Sequence, residues 1–245
     1  MAVIFHKLHS SGNDFIVLLE WENDELSFLE NREFIFSICH RHYGVGGDGV
    51  FFVYGNGKVV HYDSDGSESF CINGSLCLAG LKQKYPAIPD KFVLNGVEVF
   101  IDNCDNPSVR FKPFSPKVKK VKAEGVDGVF VEIGNPHFFI ENKEKDINLA
   151  RKVRYAKEFE KGVNVSFVKK IRENVFEIAT YERGVENFTL ACGSACAAFV
   201  FGTGLNSVEF VPLSGIPIKV NYNTDTGFFT VEGSVSYVAQ GSFFN

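Results

Sequence analysis

Two of the six cysteines, Cys71 and Cys192, stand where a thiol could do acid–base chemistry. Each leads into a segment that is apolar around most of a helical circumference: Leu76-Cys77-Leu78-Ala79-Gly80-Leu81 after the first, Ala195-Cys196-Ala197-Ala198-Phe199-Val200-Phe201 after the second. Helices of that kind belong inside a domain rather than on its surface. A thiol at the first turn of such a helix lies beside unpaired backbone N–H groups and the positive end of the helix dipole. That placement is expected to lower its pKa from about 8.5 towards neutrality. A thiol titrating near pH 7 can both take and give a proton. Inverting a stereocentre without a carbonyl cofactor needs removal of a proton on one face of the carbon and delivery on the other. Two matched thiols from two similar halves would supply that pair, which points to a cofactor-independent racemase or epimerase. The backbone N–H groups of Asn73, Gly74, Gly193 and Ser194 would hold the substrate's α-carboxylate and stabilise the charge of the carbanion.

The remaining cysteines, Cys39, Cys77, Cys104 and Cys196, read as packing residues. Six cysteines in 245 residues do not make a disulfide scaffold. Their spacings, with no histidine at finger-like distance, do not fit zinc, so no metal is expected.

The elements that must position the two thiols are short. Val3 to His9, Phe15 to Leu19, Val50 to Tyr54, Val59 to Tyr62, Val97 to Ile101, Val129 to Ile133, Val163 to Val168 and Val175 to Tyr181 read as strands. Helices are expected at Arg32 to Tyr43 behind an Asn31 cap, Gly74 to Tyr85, Leu149 to Phe159, and Gly193 to about Gly202. The chain is therefore α+β and not a βαβ repeat. One strand, cysteine and buried-helix unit in each half suggests two similar domains with an active site between them.

Composition narrows the class further. A hydrophobic fraction of 45% and 26 phenylalanines indicate a globular fold with an aromatic interior. The formal charge of −5 gives no reason to expect nucleic acid, and the basic run Lys117 to Lys122 reads as a solvated strand or linker. The N-terminus lacks signal-peptide character and no stretch of about 20 apolar residues occurs, so a cytoplasmic protein with no membrane partner is expected.

Ordered motifs carry a resemblance along the whole chain. They are Ser11-Gly12-Asn13-Asp14-Phe15, Gly44-Val45-Gly46-Gly47-Asp48-Gly49, and Asp65-Gly66-Ser67-Glu68 ahead of Cys71. Gly134-Asn135-Pro136-His137 and Gly162-Val163-Asn164 follow, then Tyr181-Glu182-Arg183-Gly184 and Thr189-Leu190-Ala191-Cys192-Gly193. In these the sequence resembles the diaminopimelate epimerases, which interconvert LL- and meso-diaminopimelate without pyridoxal phosphate. The resemblance implies an isomerase of lysine and peptidoglycan precursor synthesis that needs no cofactor and binds a small amino-acid substrate. It implies two dyads, Cys71 with His137 and Cys192 with Glu182. Asn13, Asn135 and Asn164 would bind substrate through their side-chain amides, and Arg183 would pair with the carboxylate of the non-reacting end. The implied fold is two pseudo-symmetric domains, each a mainly antiparallel, barrel-like sheet around a central buried helix. These would be residues 1–114 and 115–234, with a closing strand at 235–245 returning to the first domain; a homodimer is a family-level expectation.

Three positions depart from the family pattern. Asp63 stands where the family usually has Asn, and an ionised carboxylate cannot donate as an amide does. Ile72 follows the first cysteine where the family has Gly, so a substrate carboxylate could use the Ile72 N–H only if that residue takes helix-like dihedrals. After the second cysteine, Gly193 and Ser194 lead to Ala195 in place of a further glycine. Substrate identity is thus left with two alternatives: a related racemase of another amino acid such as histidine, or a non-catalytic amino-acid-binding protein on the same scaffold.

Overall fold

The computed structural model describes residues 2–113 and 116–244, so the expected domain boundary at 114 and 115 lies outside the described residues. The chain divides into two compact units, Met1–Phe111 with Gly233–Asn245, and Lys112–Glu232.

In the first unit, strands β1 (Ala2–Ser10), β2 (Asn13–Leu19), β3 (Gly49–Val53) and β4 (Val59–Asp63) form a sheet. The closing strand Val235–Phe244 pairs antiparallel with β1 at the sheet edge. β2 and β3 run parallel, while the β1–β2 and β3–β4 pairs are antiparallel. Helix α1 (Arg32–Cys39) covers one face, with Phe34, Ile35 and Ile38 buried. Its start obeys the sequence signal: the Asn31 side chain accepts from Phe34 N at 2.9 Å. Its end comes four residues before the expected Tyr43, because the glycine loop takes over the last carbonyls. Gly46 N donates to Ile38 O and Gly47 N to Cys39 O, each at 3.0 Å. Only glycine suits position 44, where an added Cβ would sit 2.0 Å from Ser37 O.

Helix α2 (Ile72–Lys82) is the centre of this unit and packs against β1, β2 and the closing strand. Strands β5 (Lys91–Leu94), β6 (Val97–Asn103) and β7 (Ser108–Phe111) form an antiparallel ribbon, and β6 and β7 also pack on the helix. Every residue from Ile72 to Ala79 is buried, as an all-round apolar helix requires. The closing strand approaches so near that a Cβ at Gly80 would meet Val235 Cγ1 at 2.8 Å. Helix α2 begins two residues earlier than the expected Gly74, with β-branched Ile72 as its first residue and 2% exposed.

The second unit repeats the plan with more strands. β8 (Lys117–Ala123), β9 (Val126–Glu132) and β10 (Pro136–Glu141) are antiparallel neighbours. They are continued by β11 (Asn164–Arg172), β12 (Val175–Glu182), β14 (Ser207–Pro212), β15 (Ile218–Asn223) and β16 (Phe228–Gly233), with the short β13 (Asn187–Phe188) paired to β12. β10–β11 and β12–β14 are parallel. Helix α3 (Ile147–Arg154) starts two residues before the expected Leu149 because Asp146 caps it, accepting from Asn148 N at 2.9 Å and Leu149 N at 3.1 Å. It ends well short of Phe159, where successive tight turns replace it.

Helix α4 (Gly193–Thr203) is the buried centre, packed against β9, β10, β14 and β15. Gly204 closes it at φ +71°, its N–H returning to Val200 O at 3.1 Å, a left-handed stop that glycine adopts without a Cβ penalty. Among the described residues no helix is long and apolar enough to cross a membrane.

Candidate active site

In the first unit, Cys71 is the N-cap of α2 and its Sγ accepts from Gly74 N at 3.5 Å. One of the N–H groups expected to hold a substrate carboxylate is therefore engaged by the thiol itself. Ser75 Oγ donates to Cys71 O at 2.7 Å and fixes the peptide that carries the thiol. From the other side, Asn73 Nδ2 donates to Asn13 Oδ1 at 3.1 Å, so an expected substrate amide, Asn13, is joined to the side chain of Asn73, a residue expected to serve through its backbone N–H, across the start of α2 and the start of β2.

Asn13 is in turn oriented by charge. Its Nδ2 donates to Asp48 Oδ2 at 2.5 Å, and Asp14 N donates to the same oxygen at 3.1 Å. Arg41 binds Asp14 through both terminal nitrogens, at 2.7 and 3.1 Å, and reaches Asp48 Oδ1 at 2.7 Å. Lys7 Nζ completes the cluster 2.5 Å from Asp14 and donates to Gly46 O. Burial alone would raise the Asp14 carboxyl, but the hydrogen bonds and charges of Arg41 and Lys7 outweigh it and bring the pKa from 3.8 to about 2. Asp48 shifts the other way, pushed up by its own burial and by the Asp14 charge.

Asp63 ends β4 beside a buried imidazole. His61 Nε2 lies 3.9 Å from Asp63 Oδ1 and has no hydrogen-bond partner among the described residues. The ring packs at 4.4 Å on Phe51, and its Nδ1 is 3.1 Å from Ser69 Oγ, two residues before Cys71. Burial lowers the His61 pKa to about 4, so the ring is neutral at pH 7.

In the second unit, Cys192 precedes α4 and is only 9% exposed. Its Sγ lies 3.4 Å from Ser194 Oγ, and the same hydroxyl lies 3.1 Å from His137 Nε2. His137 is fully buried on β10, opposite Asn164 in the β10–β11 register, and its Nδ1 has no hydrogen-bond partner among the described residues. Burial, with the Arg183 charge adding to it, lowers the His137 pKa to about 3. Asn164 joins the neighbours: its Nδ2 donates to Pro136 O at 3.2 Å and its Oδ1 accepts from Arg183 N at 2.8 Å. Glu182 ends β12, accepts from Thr189 Oγ1, and lies close enough to Cys192 for its charge to disfavour the thiolate. A cavity of about 630 Å³ in this unit is lined by Arg183, Gly134, Pro136, Gly162, Lys117 and Glu132 among others. Asn135 lies in the turn before β10, its carbonyl accepting from Ile133 N at 3.4 Å.

The Cys192 thiol corrects one expectation. Burial pushes its pKa well above the ordinary value and Glu182 adds to the rise, while the Ser194 hydroxyl and the Ala195 amide pull downward without prevailing. The helix N-terminus is present but does not bring this thiol towards neutrality, because desolvation of a fully buried anion is the larger effect.

A diaminopimelate epimerase of Aquifex aeolicus is 35% identical to this chain over 97% of it and 96% of the relative. The chain belongs to the diaminopimelate epimerase family. The family model, described as diaminopimelate epimerase, matches residues 129–227, from β9 to the hairpin before β16. Among solved structures, a phenazine biosynthesis protein of the PhzF family from Bacillus anthracis superposes with a TM-score of 0.73 at 8% identity, covering all of both chains. A probable proline racemase from Agrobacterium radiobacter superposes with a TM-score of 0.68 at 12% identity, over 98% of this chain and 92% of that one. At such identities these two speak for the fold alone. Family membership makes the chain an enzyme, an amino-acid epimerase or racemase.

Within this epimerase, several residues around the site carried no role in the sequence reading. Asp48 lies in the glycine-loop motif and Asp14 in the Ser11-Gly12-Asn13-Asp14-Phe15 motif that opens β2, so their motif membership was a signal; their joint engagement by Arg41 was not visible. Thr189, which donates to Glu182, also lies within a motif. Nothing in the sequence marked Lys7, His61 or Ser69.

Proposed function

We propose that this epimerase interconverts LL-2,6-diaminopimelate and meso-2,6-diaminopimelate, in lysine and peptidoglycan precursor synthesis, by a two-base mechanism without pyridoxal phosphate. Cys71 and Cys192 are the two acid–base groups, with His137 and Glu182 as their dyad partners. In one direction a thiolate takes the α-proton and becomes a thiol, and the opposite thiol gives its proton to the carbanion and becomes a thiolate; the reverse reaction exchanges the two roles. Asn13, Asn135 and Asn164 bind the amino and carboxylate groups, Arg183 the distal carboxylate, and Ile72, Asn73, Gly74, Gly193 and Ser194 the α-carboxylate. Asp63 faces the distal group.

The observation that carries this reading is the Cys192 thiol buried before α4, with Ser194 Oγ 3.4 Å from its sulfur and with burial and the Glu182 charge both disfavouring its thiolate. A thiol kept protonated at rest is suited to delivering a proton to a carbanion, the half-reaction that needs an acid. The helical backbone of Ile72 also supports its N–H as a carboxylate donor. Support for the substrate comes from the relative's name and from the Arg183 guanidinium, a cation that lines the cavity of the second unit while one of its N–H groups donates to Lys161 O at 3.4 Å.

Asp63 in place of the family's Asn favours one alternative, a racemase of an amino acid such as histidine that lacks a second carboxylate. Incubation with LL-diaminopimelate in D₂O under reducing conditions decides between them. Deuterium at the α-carbon with formation of the meso isomer is expected; exchange with histidine and none with diaminopimelate would overturn the assignment.

A further inference from the structure

Three groups of the second unit stand in line. His137 Nε2 is 3.1 Å from Ser194 Oγ, and Ser194 Oγ is 3.4 Å from Cys192 Sγ. Both ends of the line are buried, the imidazole completely and the cysteine to 9% exposure, and Ser194 belongs to the first turn of α4. A hydroxyl has one proton and two lone pairs, so it can serve both neighbours at once, donating to one and accepting from the other. In a water-poor pocket such a chain is electrostatically stronger than in solvent.

We propose that Ser194 is a positioning residue that couples the Cys192 thiol to His137, so that the proton state of the thiol is set by the imidazole as well as by Glu182. The step moves two protons by one bond each. Cys192 S–H gives its proton to Ser194 Oγ, and the Ser194 hydroxyl proton passes to His137 Nε2. The products are a thiolate, an intact hydroxyl and an imidazolium, with no proton gained or lost overall. At rest the equilibrium lies with the neutral pair, because burial disfavours both charges and Arg183 disfavours the imidazolium. Once Cys192 has delivered its proton to substrate, the Ser194 hydroxyl turns from Nε2 and donates to the thiolate, while the imidazole stays neutral with its proton on Nδ1. His137 is thus tied to Cys192 in addition to the dyad with Cys71 proposed above. The inference rests on that reading only in taking Cys192 as an acid–base group.

The test reads thiol chemistry without any amino-acid substrate, so it can fail or succeed independently of the diaminopimelate assignment. The full-length reduced enzyme is treated with iodoacetamide across pH, and alkylation of the Cys192 and Cys71 peptides is followed by mass spectrometry. Ser194→Ala and His137→Asn are each expected to slow Cys192 alkylation about tenfold at fixed pH, equivalent to moving the midpoint up by about one unit. The double variant should be no slower than either single one, and Ser194→Thr should restore the wild-type profile. Cys71 alkylation in Ser194→Ala should match wild type, which also shows that the variant is folded. An unchanged Cys192 profile in His137→Asn, or effects that multiply in the double variant, would overturn the coupling.

Discussion

The two thiols sit at equivalent points of two similar units and are handled differently. Cys71 is half-buried, and its sulfur is occupied by its own helix through the Gly74 N–H. Cys192 is buried; the Ala195 amide at the same step also acts on its sulfur, and two side chains are added, with Ser194 Oγ 3.4 Å from it and Glu182 beside it. The helix turns differ in step. The first unit has Ile72 and Gly74 where the second has Gly193 and Ala195. Gly74 is required because the Phe51 ring lies against it: an added Cβ would come within 2.2 Å of Cε2. A helix start can therefore present a thiol with its own backbone as the main partner or with side chains added to it.

The largest effect that can separate the two settings is removal of the thiols themselves. Cys71→Ala and Cys192→Ala should each lower kcat by about 10²- to 10⁴-fold or more, since each deletes a general acid–base group. Steady-state rates in both directions check this. If one variant keeps wild-type turnover, the two units are not partners in one reaction.

Next comes the charged cluster of the first unit. Asp48→Ala removes the acceptor for Asn13 and one of the two carboxylates held by Arg41. It should raise KM about tenfold, in line with the loss of about one charge-assisted hydrogen bond. Asp48→Asn, able to accept from Asn13 still, should recover part of the loss. Equal KM values for both variants would mean that Asp48 does not orient the amide.

The comparison at the helix turn is sharpened by exchanging the small residues. Gly74→Ala should destabilise the protein by about 1 to 3 kcal/mol through overpacking against Phe51. Ala195→Gly should cost about 1 kcal/mol, the usual helix penalty for glycine. Denaturant midpoints measure both. A larger loss for Ala195→Gly than for Gly74→Ala would reverse the account of which turn is the tighter.

The smallest effect is on acid stability. Because Asp14 has its pKa lowered from 3.8 to about 2, its pairing contributes stability that is fully present above its unfolded value and is lost as pH falls through that interval. Lys7→Met and Arg41→Met should weaken this pH dependence between about pH 4 and pH 2, seen in acid-unfolding curves. Curves that keep the wild-type slope in both variants would remove the cluster as its source.

What the sequence made legible follows from where the information is local. Helices α2 and α4 were readable because they are apolar all round, and the thiols because they stand at the first turns of those helices. The Asn31 cap of α1 was readable too, but the helix end was not, since the carbonyls of Ile38 and Cys39 are taken by glycines farther along the chain. Strand β10, which carries His137, escaped although β3, just as buried on both faces, was read; the β10 run Phe138-Phe139-Ile140 directly follows the Gly134-Asn135-Pro136-His137 segment, which reads as a turn. The cluster of Lys7, Asp14, Arg41 and Asp48 joins residues far apart in sequence, and nothing in any one segment announces it. The direction of the Cys192 shift was misjudged for the same reason. A helix dipole is visible in a sequence, whereas the degree of burial that opposes it is a property of the folded unit.

The central claim is that the two thiols work from opposite faces of one α-carbon, and isotope exchange by the single-thiol variants tests it most directly. LL- and meso-diaminopimelate are each incubated in D₂O with Cys71→Ala and with Cys192→Ala, and both deuterium content and stereochemistry are followed. The account predicts no inversion by either variant, with any residual exchange occurring with retention and from opposite isomers in the two proteins. Inversion by either variant, or exchange of the same isomer by both, would contradict it.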